Sequence, residues 1–335
     1  MKEKTKQASG LGKHFGQTAQ FFKMYTGLLI GMVAMCLVFG LGSEYFFTLD
    51  NLITVLRQVS ANALIAAALT MVFITGGIDL STGNILAMAG VFAAGFISNQ
   101  GMPVWLGVTL ALLSGLVIGL LNGVFAAFTK MPPFIITYSV GNICKGITYL
   151  YSNAQNIRIT DKAFTWLGAG FIGPIPVPIV IAALVFVIVG LILGKTKLGR
   201  HMYAVGGNET AARYAGINIA FVRLFMYAFT GLMSALAGIV IAARVYSGQP
   251  TAGADTSMSA IASVVLGGVS MGGGRGGVGG VIFGCIILGA MSNGLNLIGV
   301  DSYWQYIVRG IIIIAAVFVD YMRESGNGRK KKTAK

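Results

Sequence analysis

Charge is scarce in this chain: Asp, Glu, Lys and Arg make up 10% of its 335 residues, where an ordinary soluble domain carries about a quarter. Acid is scarcer than base, with 10 Asp and Glu against 24 Lys and Arg, and there are only 2 His. His14 and His201 are solitary, and no Ser/His/Asp set, carboxylate pair or metal cluster stands out, which leaves a membrane-embedded enzyme without machinery. Cysteine is as rare. Cys36, Cys144 and Cys285 stand apart inside apolar runs, with neither metal nor redox spacing, and read as small buried hydrophobes. Met1–Lys23 lacks a short apolar core followed by a small-residue cleavage site, so no removable signal peptide is expected.

What is abundant points to one class. Hydrophobic residues reach 56% and glycine fills 48 positions, with a mean hydropathy of +0.79. That is a membrane composition, and small residues let transmembrane helices approach closely. In a soluble protein the formal charge of +14 would suggest nucleic acid. Here most basic residues fall in segments that can share one side: Lys2–Lys23, Lys130, Lys195–Arg213, Arg223, Arg275 and Arg323–Lys335. This is the positive-inside pattern, and no nucleic-acid partner is expected.

A helical span needs about 20 apolar residues. Met24–Phe46 is the first. Thr48–Ser60 is amphipathic and is expected to lie at the outer interface before a second span, Ala61–Thr75. After the turn GGIDLSTG come Asn84–Ile97, Val104–Phe128, Met131–Tyr151 and Val177–Leu193. The remaining spans are Ile219–Val245, a short Met258–Met271, Val278–Ile298 and Trp304–Tyr321. Asn153–Pro176 and Tyr246–Ser257 are the longer outer segments. The pattern predicts an all-α integral membrane protein of about ten transmembrane helices with both termini cytoplasmic. Residues 1–23 form a basic cytoplasmic segment, 24–321 a membrane domain and 322–335 a basic cytoplasmic tail.

The longest polar interruption in the second half is Lys195–Asn218, KTKLGRHMYAVGGNETAARYAGIN. Asn208 suits a helix N-cap, and Glu209 would sit in the first turn, where the dipole favours an anion. Ala211, Ala212, Ala215 and Ile217 would leave a small, smooth, apolar face, the surface a cytosolic partner needs. Phosphate-binding motifs fail on inspection. GKT at Gly194–Thr196 has Val189 where the motif needs glycine, and GGGRGG satisfies GxGxxG trivially without a preceding strand. The chain is expected to have no nucleotide site or other cofactor of its own.

Two stretches echo each other about 191 residues apart, TMVFITGGIDLSTGNILAMAGVFAAGF and ASVVLGGVSMGGGRGGVGGVIFGCIILG, aligning Gly76–Gly77 with Gly267–Gly268. Weak two-fold internal symmetry with Gly-interrupted apolar segments marks the centre of many transporters. Asp79, between two spans, is either functional or a cap on the third span. Asn122, Asn142, Asn293 and Asn296 either bind a polyhydroxylated solute or bond helix to helix. Lys145 and Arg309 lie deep in apolar runs, where pairing or a wet cavity is expected, and Arg244 lies near the end of one.

GGIDLSTG, LGRHMYAVGGNETAARYAGIN, SGQPTAG, VVLGGVSMGGG and NGLNLIGVDSYWQYIVRGIIIIAAVFVD, in this order, resemble the permease subunit of bacterial ABC sugar importers of the ribose/galactose type. The resemblance runs from about Phe46 to Tyr321; where that family has GIDLSVGS, Gly77–Asn84 reads GIDLSTGN. It implies a plasma-membrane transport subunit, working with a second permease copy (identical or a paralogue). A cytoplasmic ATP-binding subunit would burn the ATP, and a periplasmic or lipid-anchored sugar-binding protein would dock on the outer segments. It also implies that Gly206, Gly207, Asn208, Glu209, Ala211, Ala212, Arg213, Tyr214, Ala215 and Gly216 couple to the ATPase. Asp79, Asn122, Asn142 and Asn293 are the candidates for the substrate path. The rival readings are a permease for another small polar solute, such as a furanone signal, a nucleoside or an amino acid, and a proton-coupled transporter using Asp79 and Lys145.

Overall fold

The computed structural model describes Thr26, residues 28–301, residues 303–315, and residues 317 and 318. The basic segments 1–23 and 322–335, and with them both termini, lie outside the described residues. The chain is helical almost throughout. In order come α1 (Leu28–Gly42), α2 (Leu49–Ile74), α3 (Thr82–Ser98), α4 (Val104–Phe128), α5 (Pro133–Ser152), α6 (Lys162–Ala169) and α7 (Val177–Lys195). There follow α8 (Lys197–Gly207), α9 (Glu209–Tyr214), α10 (Ile219–Arg244), α11 (Thr256–Leu266), α12 (Val278–Leu297) and α13 (Tyr303–Ala315). Among the described residues, α2, α4, α7, α10 and α12 are long and apolar enough to cross a membrane, while α1, α3, α11 and α13 are apolar but shorter.

The helix starts follow local chemistry. Pro133 and Pro178 occupy the first turns of α5 and α7, where a missing N–H costs nothing. Thr48, Asp161, Thr196, Asn208 and Asn218 each accept a backbone N–H at the start of α2, α6, α8, α9 and α10.

The segments Thr48–Ser60 and Ala61–Thr75, which read as an interfacial stretch and a span, are one helix of 26 residues. The first half of α2 exposes Leu49, Leu52 and Leu56, whereas from Val59 onward all but Asn62 are buried. A helix apolar on every side belongs in the middle of a bundle, and α2 packs against α7, α10, α11 and α12. The change of periodicity near Ser60 marks entry into the bundle, with no break in the backbone. The densest packing joins α4 to α10, where Gly119 and Gly231 bring the two backbones together: a Cβ on Gly231 would stand 2.7 Å from the Gly119 Cα.

Both α2 and α11 end in the same hydrogen-bonded turn. Gly76 (φ +77) donates to the Phe73 carbonyl at 2.8 Å and Gly77 to Val72 at 2.9 Å; Gly268 (φ +82) donates to Val265 at 2.9 Å and Val269 to Val264 at 3.3 Å. This is the Schellman closure, whose left-handed position glycine fills without a Cβ clash. The turns pair Gly76 with Gly268, one residue further on than the sequence alignment, because Gly267 keeps a helical φ of −66.

The outer segments predicted at Asn153–Pro176 and Tyr246–Ser257 are joined. β1 (Ile157–Arg158) pairs antiparallel with β4 (Ser247–Gly248), and Ile159 donates to the Tyr246 carbonyl at 3.0 Å. Between them β2 (Phe171–Ile172) and β3 (Ile175–Pro176) form a small hairpin.

Candidate functional site

The second half of the polar loop forms the short helix its sequence suggests, α9, and the first half forms a further helix, α8, that the sequence did not show. The Asn208 side chain accepts from the Ala211 N–H at 2.9 Å, and Glu209 sits in the first turn. Glu209 also bridges outward and inward at once, to Arg213 at 3.1 Å and to Arg223 of α10 at 2.6 Å. The presented face differs from the expected one. Ala212 is buried and Ile217 half-buried, while Ala211, Arg213, Ala215 and an 88%-exposed Tyr214 face outward. Ala212 turns inward because the Arg223 bridge fixes which side of α9 meets the bundle.

Behind α9 the end of α8 touches the end of α2 and the GGGRGG turn. The Gly274 N–H donates to the Ile74 carbonyl at 2.8 Å, and Gly206 lies directly against this pair. The Tyr203 hydroxyl donates to the Gly276 carbonyl at 2.7 Å. Sequence gave no hint that the GGIDLSTG and GGGRGG turns meet under the basic loop.

From Gly76 the chain turns back into the bundle. Asp79 is fully buried, and one carboxylate oxygen accepts from the Ser81 N–H at 2.9 Å and the Ser81 hydroxyl at 2.5 Å. Asn122 of α4 donates to the same Ser81 oxygen at 2.9 Å, and the Leu80 N–H donates to Thr137 of α5 at 3.1 Å. Asp79 Oδ2 and Asn122 Oδ1 are buried without a hydrogen-bond partner. Asp79 therefore fixes the bend before α3, and the cap on the α3 N-terminus comes from elsewhere. The Gly83 N–H donates to the Ser257 hydroxyl at 2.7 Å, and the Thr82 and Ser257 hydroxyls lie 2.9 Å apart. The starts of α3 and α11 thus meet inside the bundle, satisfying donors that lipid leaves bare.

The structure brings Asp79 and Asn122 together through Ser81, and separates the other two predicted amides. Asn142 is exposed on α5. Asn293 makes a reciprocal amide pair with Asn51, at 2.8 and 3.0 Å, linking α12 to α2. Asn296 accepts from Gln305 at 2.6 Å. Lys145 lies over the Tyr149 ring, 6.0 Å from its centroid, on the exposed side of α5. It makes no ion pair with Asp79. Arg244 and Arg309 both line a polar cavity of about 410 Å³ between α2, α10, α11, α12 and α13. Sequence reasoning missed most of its wall, because Gln58, Asn62, Gln249 and Asp255 are ordinary polar residues in two stretches far apart along the chain.

Comparison with known proteins agrees with these features. Residues 51–317 match the family described as branched-chain amino acid transport system / permease component. The ribose import permease protein RbsC of Escherichia coli K12 is 40% identical over 300 residues, covering 88% of this chain and 93% of that protein. RbsC of Haemophilus influenzae is 39% identical over 295 residues, covering 87% and 91%. The fructose import permease protein FrcC of Rhizobium meliloti is 36% identical over 302 residues, covering 87% and 84%.

Proposed function

Because the chain belongs to the family of permease components of branched-chain amino acid transport systems, we propose that it carries a monosaccharide, ribose or a similar sugar, inward by alternating access. As a member it is an inner-membrane transport subunit that hydrolyses no ATP itself. A separate ATPase and a substrate-binding protein complete the importer. One observation carries the choice of sugar over amino acid: the identity of 39–40% to ribose permeases spans nearly the whole of both chains.

The membrane domain spans residues 24–321 with ten helices, namely the five long apolar helices, the four shorter ones and α5. Residues 1–23 and 322–335 flank it on the cytoplasmic side, where the excess of Lys and Arg supports both. The matching turns after α2 and α11 support an internal repeat. ATP is bound by the partner, and the permease holds no cofactor. Residues Gly206–Gly216 dock on the ATPase, with Tyr214 as the exposed knob. A second copy, identical or a paralogue, faces the exposed side of α5, which mixes Tyr138, Asn142 and Lys145 among apolar residues; lipid covers the purely apolar faces. Asn142 would line the path between the copies, and Asp79 and Asn122 hold the bend beside it. Asn293 serves this path by fixing α12 to α2. The paired segments 153–176 and 246–257 receive a periplasmic or lipid-anchored sugar-binding protein.

The test is uptake into proteoliposomes holding the permease with its ATPase and binding protein, with labelled ribose and labelled leucine supplied in parallel. ATP-dependent accumulation of ribose is expected. Accumulation of leucine without ribose, or of either solute in vesicles lacking the ATPase, overturns the proposal.

A further inference from the structure

The cavity holding Arg244 and Arg309 is the polar feature that the coupling surface and the bend at Asp79 leave unexplained. Its volume of about 410 Å³ falls within the range of small-molecule sites. Its wall runs from Asn62, midway along the 26-residue α2, outward to Arg244 at the end of α10 and to residues 249–256. The first turn of α11 opens into it at Thr256 and Ser259, and the Asp255 side chain makes no capping bond there. Tyr306 of α13 lies beside the Asp255 carboxylate. An interrupted helix whose start points into a polar chamber is where transporters hold solutes.

The lining selects a chemistry. Gln58, Asn62 and Gln249 bring amides that donate and accept at once, and Ser259 adds a hydroxyl. Asp255 stands with Arg244 and Arg309, so the wall holds charged acceptors and donors, each able to bond a hydroxyl. Val59, Ile241 and Leu288 supply an apolar side. The Asn62 Nδ2 donates to Ser263 at 3.1 Å, while its Oδ1 is buried and has no partner. Paired donors and acceptors beside an apolar patch fit a polyhydroxylated ring with polar rim and C–H face.

We propose that each permease subunit holds the sugar in this cavity, hydrogen-bonded to Gln58, Asn62, Gln249 and Asp255, as an intramembrane station of its own. The proposal rests on the monosaccharide reading and adds a site within one subunit, distinct from any path between two copies.

The test uses the complete importer in proteoliposomes. Gln58→Leu and Gln249→Leu each remove a sugar contact, and co-purification of the ATPase reports that each variant is assembled. Ribose uptake is expected to fall by about tenfold or more in each, the effect of losing one well-placed hydrogen bond with its partner left bare. Leu113→Ala, on the exposed face of α4, should transport as the parent chain does. A second readout does not depend on rates of transport. In Ser259→Cys, a charged methanethiosulfonate should modify the new thiol above the background of Cys36, Cys144 and Cys285, and ribose should slow it while leucine does not. Uptake within about twofold of the parent in both leucine variants overturns the site. So does modification at one rate with and without ribose, or protection by leucine alone. Failure of the parent chain to import ribose overturns the monosaccharide reading itself, which separates the two.

Discussion

The contact of α8 with the ends of α2 and the GGGRGG turn makes Gly206→Ala a sharp perturbation. A Cβ there would overlap the Ile74 carbonyl oxygen and stand 2.6 Å from the Gly274 nitrogen. Ordinary contact needs about 3.5 Å, so α8 must retreat by about 1 Å from the nitrogen and by more than that from the oxygen. The bond in the way is the 2.8 Å Gly274 N–H to Ile74 carbonyl contact, whose loss costs about 1 kcal/mol. Overpacking adds about 1–3 kcal/mol. Together these weaken the joint by about 2–4 kcal/mol, a factor of roughly 30 to 1,000 in an equilibrium between joined and parted states. With the ATPase docked on α9 as proposed, the stroke would have to cross this joint to reach α2 and the GGGRGG turn. The assay is sugar accumulated per ATP hydrolysed in reconstituted vesicles. The ratio is expected to fall by about tenfold or more, with the ATPase still bound. Gly194→Ala, where an added Cβ meets nothing within 4 Å, should leave the ratio unchanged. A parental ratio in Gly206→Ala would refute the reasoning, because the stroke would then bypass α8.

Three further outcomes follow from other contacts. Tyr214→Ala removes a side chain that is 88% exposed on α9, and should weaken co-purification of the ATPase by about 30-fold, the effect of losing an aromatic anchor worth about 2 kcal/mol. Asn293→Leu strands the Asn51 amide and should lower stability in detergent by about 1–3 kcal/mol, read as a lower melting midpoint, whereas Asn51→Leu with Asn293→Leu should recover most of it. Ser257→Ala leaves the Gly83 N–H without its 2.7 Å partner, and should cost about 1–3 kcal/mol, measured as faster proteolysis of the α3 region.

The membrane class, the basic loop and its Asn208 cap were legible because composition, charge and capping are local properties. So were the two Gly-rich turns, since a left-handed residue is written into the chain as glycine. The continuity of α2 was hidden. Its apolar pattern changes where neighbours close around it, and those neighbours lie far along the chain. For the same reason Asn293 read as a candidate solute ligand when its partner is Asn51. Asp79 looked like a cap on α3, yet the capping hydroxyl belongs to Ser257. The cavity was least legible, because no one segment supplies enough of its wall to show a pattern.

The capping of α3 by Ser257 bears on how the molecule is made. The two residues joined, Gly83 and Ser257, are separated by 174 positions. During synthesis the start of α3 therefore enters the membrane long before its acceptor exists. Until α11 emerges, the polar bend around Asp79 must be sheltered by the insertion machinery or by water, and the early helices stay provisional. The last third of the chain acts as a keystone. A nascent chain halted before Ser257 should remain exposed to membrane quality control.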